Sequence, residues 1–483
     1  MKSILKKNVT NSQRKRPNII LILIDDLGWK DLSVYGSGFY ETPNLDKLAG
    51  EGVMFTNAYS SCPVCSPTRA SIMTGKYPAT VGITQFIGGR AEGKLKDVQY
   101  LDHLPLSEYS VAKALKKAGY KTWHIGKWHL GSEPYYPEHH GFDVNISGCH
   151  WGMPKNGYFS PYGIPNFTDG SDGEYLTDRL TNEAIKLMEQ NDGKPFFLNL
   201  CHYAVHIPIQ APESLIDKYV KKVKKLGFDK KAAFVEGESM PCRHLAGKKV
   251  TRRLFQSDPV YAAMIENLDW NIGRMLDVVN KKGMKDDTLV IFTSDNGGLS
   301  TAEGSPTCNY PLSEGKGWMR EGGNRVCQII RWPRVVKPAG ICKTNVVSTD
   351  FYPTFLEAAG LPLIPKQHCD GVSLMPLLRG EKNIDRQYIF WHYPHYSNQG
   401  GTPAAAVLDG KWKLIKYFED NHIELYNIEN DLGENTNLYE REIKIAKRLH
   451  SALVKWQKSI EAKIPEQNTE YPEHKEERES PYI

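Results

Sequence analysis

The chain has 483 residues, 40% of them hydrophobic, a formal net charge of +5 and nine cysteines. That length allows two domains, or one large domain with an appendage, and the charge is too modest and scattered for a nucleic-acid-binding protein. The densest basic run, Lys221, Lys222, Lys224 and Lys225, reads as a solvated helix face, and an odd number of dispersed cysteines argues for mostly reduced, buried thiols.

Residues 1–16 are basic and polar and read as a flexible arm. The first apolar run, 19–24, is too short for a membrane span and lacks a signal-peptide layout. This predicts a cytoplasmic protein, or a periplasmic or secreted one where a signal has been removed. Apolar runs at 18–24, 121–125, 195–201, 289–294 and 326–331 are bounded by turn residues and separated by helical patterns. Among those patterns, Thr42-Pro43-Asn44-Leu45 reads as an N-cap with proline in the first turn, and 261–279 carries apolar residues at helical spacing. The alternation predicts an α/β fold, with a large mixed, mostly parallel sheet flanked by helices over residues 17–379. From Gly380 the texture shifts to strands at 387–392, 405–408 and 412–417 and a helix at 441–463, a smaller C-terminal α+β domain over 380–464. Residues 465–483, rich in Glu, Lys and Pro, read as a polar tail, mobile or laid along the surface.

Several predicted strands end in reactive residues: Asp25-Asp26, Gly126-Lys127-Trp128-His129, His206 and Asp295-Asn296. Ligands of open α/β sheets gather at the carboxyl ends of strands, so these segments are expected to converge. The acids and the amide offer hard oxygen ligands for Ca²⁺ or Mg²⁺, although such pairs alone are more often caps or turn residues. Lys127 and His129 are two apart, so a strand would place them on one face. Cys62 and Cys65 have the spacing of a redox or zinc pair, but no further soft ligands accompany them, and Cys62 reads as a buried small residue.

The run Cys65-Ser66-Pro67-Thr68-Arg69, closing with Thr74-Gly75, resembles the maturation signature of the formylglycine-dependent sulfatases, in the alkaline phosphatase-like superfamily. Ile24-Asp25-Asp26-Leu27-Gly28, Gly126-Lys127-Trp128-His129-Leu130-Gly131, His206-Ile207-Pro208, Glu314-Gly315-Lys316-Gly317-Trp318 and Thr293-Ser294-Asp295-Asn296-Gly297 resemble further segments of that family. The resemblance implies that a maturation enzyme oxidises Cys65 to formylglycine, whose hydrate has one hydroxyl to attack sulfur and one to expel the product. It implies a metal, Ca²⁺ before Mg²⁺, held by Asp25, Asp26, residue 65, Asp295 and Asn296. Arg69 would support the hydrate, Lys127 and Lys316 would hold sulfate oxygens, and His129 would take the hydrate's spare proton. His206 would protonate the leaving oxygen, with His202 as a competitor.

The likeness runs from about residue 17 to 378 and most resembles bacterial carbohydrate sulfatases, which implies a sulfated carbohydrate substrate with galactose or N-acetylgalactosamine sulfate at a chain end. His150 and Trp151, with His392 and His395 in a Trp-His-Tyr-Pro-His-Tyr run, have the aromatic and polar character of sugar contacts, or of packing between domains. Arg90, or the basic residues near Arg243, would suit a uronate carboxylate. Two rival functions remain: a phosphonate or phosphate ester hydrolase of the same superfamily, and a non-catalytic binder of sulfated glycans.

Overall fold

The computed structural model describes residues 16–471, so the expected arm lies outside the described residues except for Arg16, as do residues 472–483 of the expected tail. Arg16 donates to the Ala118 carbonyl. The first strand, β1 (Asn18–Ile24), is buried along its whole length. Ile20, Ile22 and Ile24 enter one core cluster while Ile19, Leu21 and Leu23 enter another, the two-residue period of a strand covered on both faces. At about 1.5–3 kcal/mol for each buried aliphatic side chain, this strand is a strong contributor to the core.

The strands that follow are β2 (Val53–Tyr59), β3 (Lys121–Gly126), β4 (Val144–Ile146), β5 (Phe196–Cys201), β6 (Phe234–Ser239), β7 (Lys249–Arg253), β8 (Thr288–Ser294), β9 (Arg325–Arg331), β10 (Gly340–Cys342) and β11 (Val346–Val347). The main sheet has the order β10-β2-β9-β8-β1-β5-β3-β4, with β11 beside β2. Its pairings are parallel except those of β9, which runs antiparallel to both β8 and β2. This is the expected mixed, mostly parallel sheet. β2 and the hairpin β6–β7 are not among the expected strands, because β2 is only partly buried and β6 is largely exposed.

The helix Pro43–Gly50 starts where expected, but Thr42 does not cap it with its side chain. The Thr42 hydroxyl pairs with Ser33 instead, and Asp269, on the long helix Pro259–Lys281, accepts from Asn44 N at 3.1 Å and Leu45 N at 2.8 Å. A carboxylate from another helix thus satisfies the free N–H groups of the first turn.

Toward the C-terminus, β12 (Tyr388–Tyr393), β13 (Ala404–Asp409), β14 (Trp412–Tyr417) and β15 (Ile423–Asn427) form an antiparallel sheet in that order. The helix Ile443–Ser459 packs Ala446, Leu449 and Leu453 onto Ala405, Val407 and Leu414 of this sheet. The tail beyond it lies along residues 93–96: Lys96 N donates to Glu466 O at 2.8 Å and Asn468 N to Lys94 O at 2.8 Å.

A buried charge cluster joins the second sheet to the first. Lys413 on β14, fully buried, pairs with Glu321 at 2.9 Å and Glu434 at 3.0 Å, while Arg325 donates to Glu321 at 2.7 Å. Burial works against the Glu321 charge, but Lys413 and Arg325 hold its carboxyl below the usual range. Removing one member leaves buried charge uncompensated. Lys413→Met is expected to cost about 3–5 kcal/mol in urea-induced unfolding; a loss below about 1 kcal/mol, the size of an exposed pair, would contradict this role.

Candidate active site

β1 and β8 are adjacent and in register, Ile24 beside Ser294, so Asp25-Asp26 and Asp295-Asn296 leave the sheet side by side. Hydrogen bonds from Asp295 N to Ile24 O and from Asp25 N to Ala204 O, both 3.1 Å, pin the two turns. Asp26 adopts a left-handed backbone at φ 61°, which short polar residues tolerate, and its Oδ1 accepts from Asn296 Nδ2 at 2.8 Å.

The helix Cys65–Thr74 begins at Cys65, and Arg69 follows one turn later on the same face. Arg69 donates through Nε to Asp295 Oδ2 at 2.9 Å and through Nη1 to the Lys127 carbonyl at 2.8 Å, and its Nη2 lies 2.7 Å from the same Asp295 oxygen as an ion-pair contact. Lys127 and His129 lie in the loop beyond β3, which ends at Gly126, and not on a strand as their spacing suggested. Gly126 makes this turn possible: its φ is 97°, and a Cβ there would fall 1.9 Å from the Cys201 carbonyl oxygen.

The loop brings Lys127 Nζ to 2.6 Å from Asp25 Oδ2 and His129 Nδ1 to 3.3 Å from Cys65 Sγ. His129 Nε2 is 3.0 Å from the Ile87 carbonyl, which can only accept, so Nε2 carries the proton and the Nδ1 lone pair faces residue 65. Beyond β5, His206 Nδ1 is tied to the Ile207 carbonyl at 2.8 Å, which leaves Nε2 facing Lys316 Nζ at 3.0 Å. Lys316 Nζ also donates to Asp26 Oδ2 at 2.7 Å. The Tyr158 hydroxyl holds the His206 turn by donating to the Tyr203 and His206 carbonyls at 2.7 and 2.8 Å. His202, the expected competitor, is buried with neither ring nitrogen hydrogen-bonded.

Three buried carboxylates therefore face three cations: Asp25 and Lys127, Asp26 and Lys316, Asp295 and Arg69. Burial holds the Asp25 carboxyl well above its ordinary range, with Lys127 opposing and Asp295 and Asp26 reinforcing the rise. Burial favours the same for Asp26, but Lys316 and His206 bring it below the usual carboxylate range. The His206 imidazole is pushed down to about 3 by burial and then by the Lys316 ammonium, and burial followed by Lys127 lowers His129 as well. Burial raises the Cys65 thiol, so the unmodified sulfur is a poor nucleophile.

Asp25 Oδ1 and Asn296 Oδ1 are buried with no hydrogen-bond partner. Ligand atoms of Asp25, Cys65 and Asp295 lie within 4.8 Å of one another, as do those of Asp25, Asp26 and His206. Spare oxygens among clustered carboxylates are a donor set that fits a hard divalent cation.

A cleft of about 1280 Å³ opens over His129, and its walls include Arg90, His150 and Trp151 from the expected contacts. His392 and His395 require correction. His392 is buried against the last helix, its Nε2 at the Lys463 carbonyl and its Nδ1 at Gln457 Nε2. His395 is buried between Thr84 and Asp97, at 2.8 and 2.7 Å, behind the cleft wall. The Trp-His-Tyr-Pro-His-Tyr run is thus packing, which a sequence cannot distinguish from binding by composition. A larger cavity, about 1480 Å³, passes Cys342, Asp385 and Lys411 and includes none of these site residues. The nine cysteines are all free, seven of them buried.

Sequence reasoning missed the carbonyls of Ile87 and Ile207, which set both histidine tautomers, and Tyr158 and Gly152. Backbone carbonyls leave no trace in residue type. Gly152 lies against the His129 ring, where a Cβ would fall 2.6 Å from Cε1.

A family model described as Sulfatase matches residues 17–361, and one described as N-sulphoglucosamine sulphohydrolase, C-terminal, matches 314–459. A sulfatase of Formosa agariphila is 32% identical, over 92% of this chain and 89% of its own length. The N-acetylgalactosamine-6-sulfatase of Homo sapiens is 31% identical, over 81% of this chain and 70% of its own. The crystal structure of Ps i-CgsB in complex with k-i-k-neocarrahexaose has a TM-score of 0.72 at 27% identity, covering 94% of this chain and 96% of that one. The chain belongs to the sulfatase family. It is a sulfuric ester hydrolase with the alkaline phosphatase-like fold.

His129 is held by a hydrogen bond at Nε2 and by Gly152 at its flank. Gly152→Ala is expected to displace the ring and lower kcat about 10- to 100-fold, with a smaller change in KM. An unchanged kcat would show that the ring's placement is not limiting.

Proposed function

We propose that the protein hydrolyses a sulfate ester on a carbohydrate, acting from the chain end on galactose- or N-acetylgalactosamine-type sulfated glycans, with Cys65 matured to formylglycine and Ca²⁺ bound. The observation that carries this reading is the His129 Nδ1 lone pair at 3.3 Å from the residue 65 side chain, within a ring of buried acids and lysines. The named activity of the human relative and the carrahexaose bound to the structural neighbour support a sugar ester.

Asp25, Asp26, Asp295 and Asn296, with residue 65, would hold the ion; their carboxylate and amide oxygens suit a hard dication such as Ca²⁺. The ion supplies charge neutralisation at the sulfate oxygens. Formylglycine hydrate supplies two hydroxyls on one carbon, one to attack sulfur and one for expelling the product. Lys127 and Lys316, both buried, bind the ester oxygens and offset charge as the transition state forms. His129 takes the proton released at residue 65, because its Nδ1 is held unprotonated and aimed there. His206 and Lys316, which share a hydrogen bond between Nε2 and Nζ at 3.0 Å, are the pair placed to give the leaving oxygen its proton. Arg69 positions Asp295 and the Lys127 backbone.

Cys65 is only 3% exposed in the folded protein, so the maturation enzyme must act before the helix Cys65–Thr74 is enclosed. A panel of defined sulfated mono- and oligosaccharides tests the reading. Inorganic sulfate is expected from galactose- or N-acetylgalactosamine-ended members with the matured enzyme, and background release with Cys65→Ala that keeps its melting temperature. Undiminished release by Cys65→Ala would overturn the mechanism, and release from none of the sugars would overturn the substrate class.

A further inference from the structure

The walls of the cleft over His129 carry three exposed cations, Arg90, Lys155 and Arg243. Among the described residues none of the three side chains makes an ion pair or a hydrogen bond. Elsewhere on the protein, cations close to acids are paired: Lys76 with Glu108, Lys218 with Glu41 and Glu266, Arg252 with Glu238 and Glu314. The acids of the cleft do not serve the three. Asp97 is taken by His395 and Asp102 by His103, each at 2.7 Å, and Glu92 forms no ion pair with any of them.

The wall is built rather than loose. Arg243 N donates to the Glu92 carbonyl at 2.7 Å, which joins the turn Arg243–Leu245 to the segment that carries Arg90. The chain at 466–468 braces the same segment from behind, where Asn468 Nδ2 donates to the Gly93 carbonyl at 3.1 Å. Lys155 Nζ lies 5.0 Å over the ring of half-buried Trp151, a flat apolar surface beside a charge.

We propose that Arg90, Arg243 and Lys155 form a second anion subsite, which binds a sulfate or carboxylate group on the sugar next to the one that loses its sulfate. The substrate class is then a multiply anionic glycan, with Trp151 as the platform for a sugar face. This inference rests on the carbohydrate-sulfatase reading. Its physical basis is that free guanidinium groups pair with planar or tetrahedral oxyanions through two hydrogen bonds, and here they have no internal partner to give up.

Binding to the Cys65→Ala protein, which cannot turn over, separates the two ideas. Three matched disaccharides serve as ligands in calorimetry: one sulfated only on the terminal galactosamine, one with a second sulfate on the neighbouring sugar, and one with a carboxylate there. The doubly anionic ligands are expected to bind about 10- to 100-fold tighter, the size of an added charge-assisted hydrogen-bond pair. The better of the two identifies the group. Arg90→Gln with Arg243→Gln is expected to remove most of that preference, and each single variant part of it. Equal binding of all three ligands, no binding of any, or a preference that survives the double substitution at unchanged melting temperature would overturn the subsite. Sulfate release from the singly sulfated disaccharide by matured enzyme tests the activity alone: a charge preference without release would retain the subsite and discard the sulfatase mechanism.

Discussion

The rest of the site depends on the burial of Asp25, Asp26 and Asp295 at the carboxyl ends of two adjacent parallel strands. Removing each carboxylate from water costs several kcal/mol, and close cations repay that only where the geometry is good. Lys127, Lys316 and Arg69 meet it at 2.6–2.7 Å. Even so, burial and its acidic neighbours keep Asp25 strained toward protonation, and its Oδ1 is left without a hydrogen bond. A dication held among these oxygens would relieve that repulsion and would leave the lysines to face an anionic ester.

That constraint explains why the segments around it are shaped as they are. Three acids cannot share a buried corner unless the loops that carry the cations are fixed, so Gly126 turns the Lys127 loop past Cys201, and the Lys316 loop is clamped at both ends. Glu434 accepts from Ser313 Oγ and Glu321 N, both at 2.7 Å, and is itself paired with Lys413 of the second sheet. The C-terminal sheet thus reaches the site through buried charge, by fixing the segment that presents Lys316.

Much of this was legible in the sequence because it is local. The run 18–24, short, apolar and bounded by turn residues, has the character of a strand buried on both faces, and the Asp-Asp and Asp-Asn pairs are adjacent to such runs. What the sequence hid is long-range. The antiparallel direction of β9 depends on how the chain returns to the sheet, and the partial burial of β2 weakened its apolar signal. Asp269 caps a helix more than two hundred residues away in sequence, so Thr42 looked like the cap by default. Lys127 and His129 reach Asp25 and Cys65 from a glycine-hinged loop, where their spacing suggested a strand. His392 and His395 have the residue types of a sugar site, and only their burial against Gln457 and Asp97 shows that they belong to the packing.

The central claim is that residue 65 works as formylglycine inside this charge ring, and peptide mass spectrometry of protein co-produced with a maturation enzyme tests it most directly. The account predicts that the peptide containing Cys65 carries an aldehyde in place of the thiol, in the same preparation that releases sulfate. An intact thiol beside a fully converted control sulfatase, in protein that still releases sulfate, would contradict it.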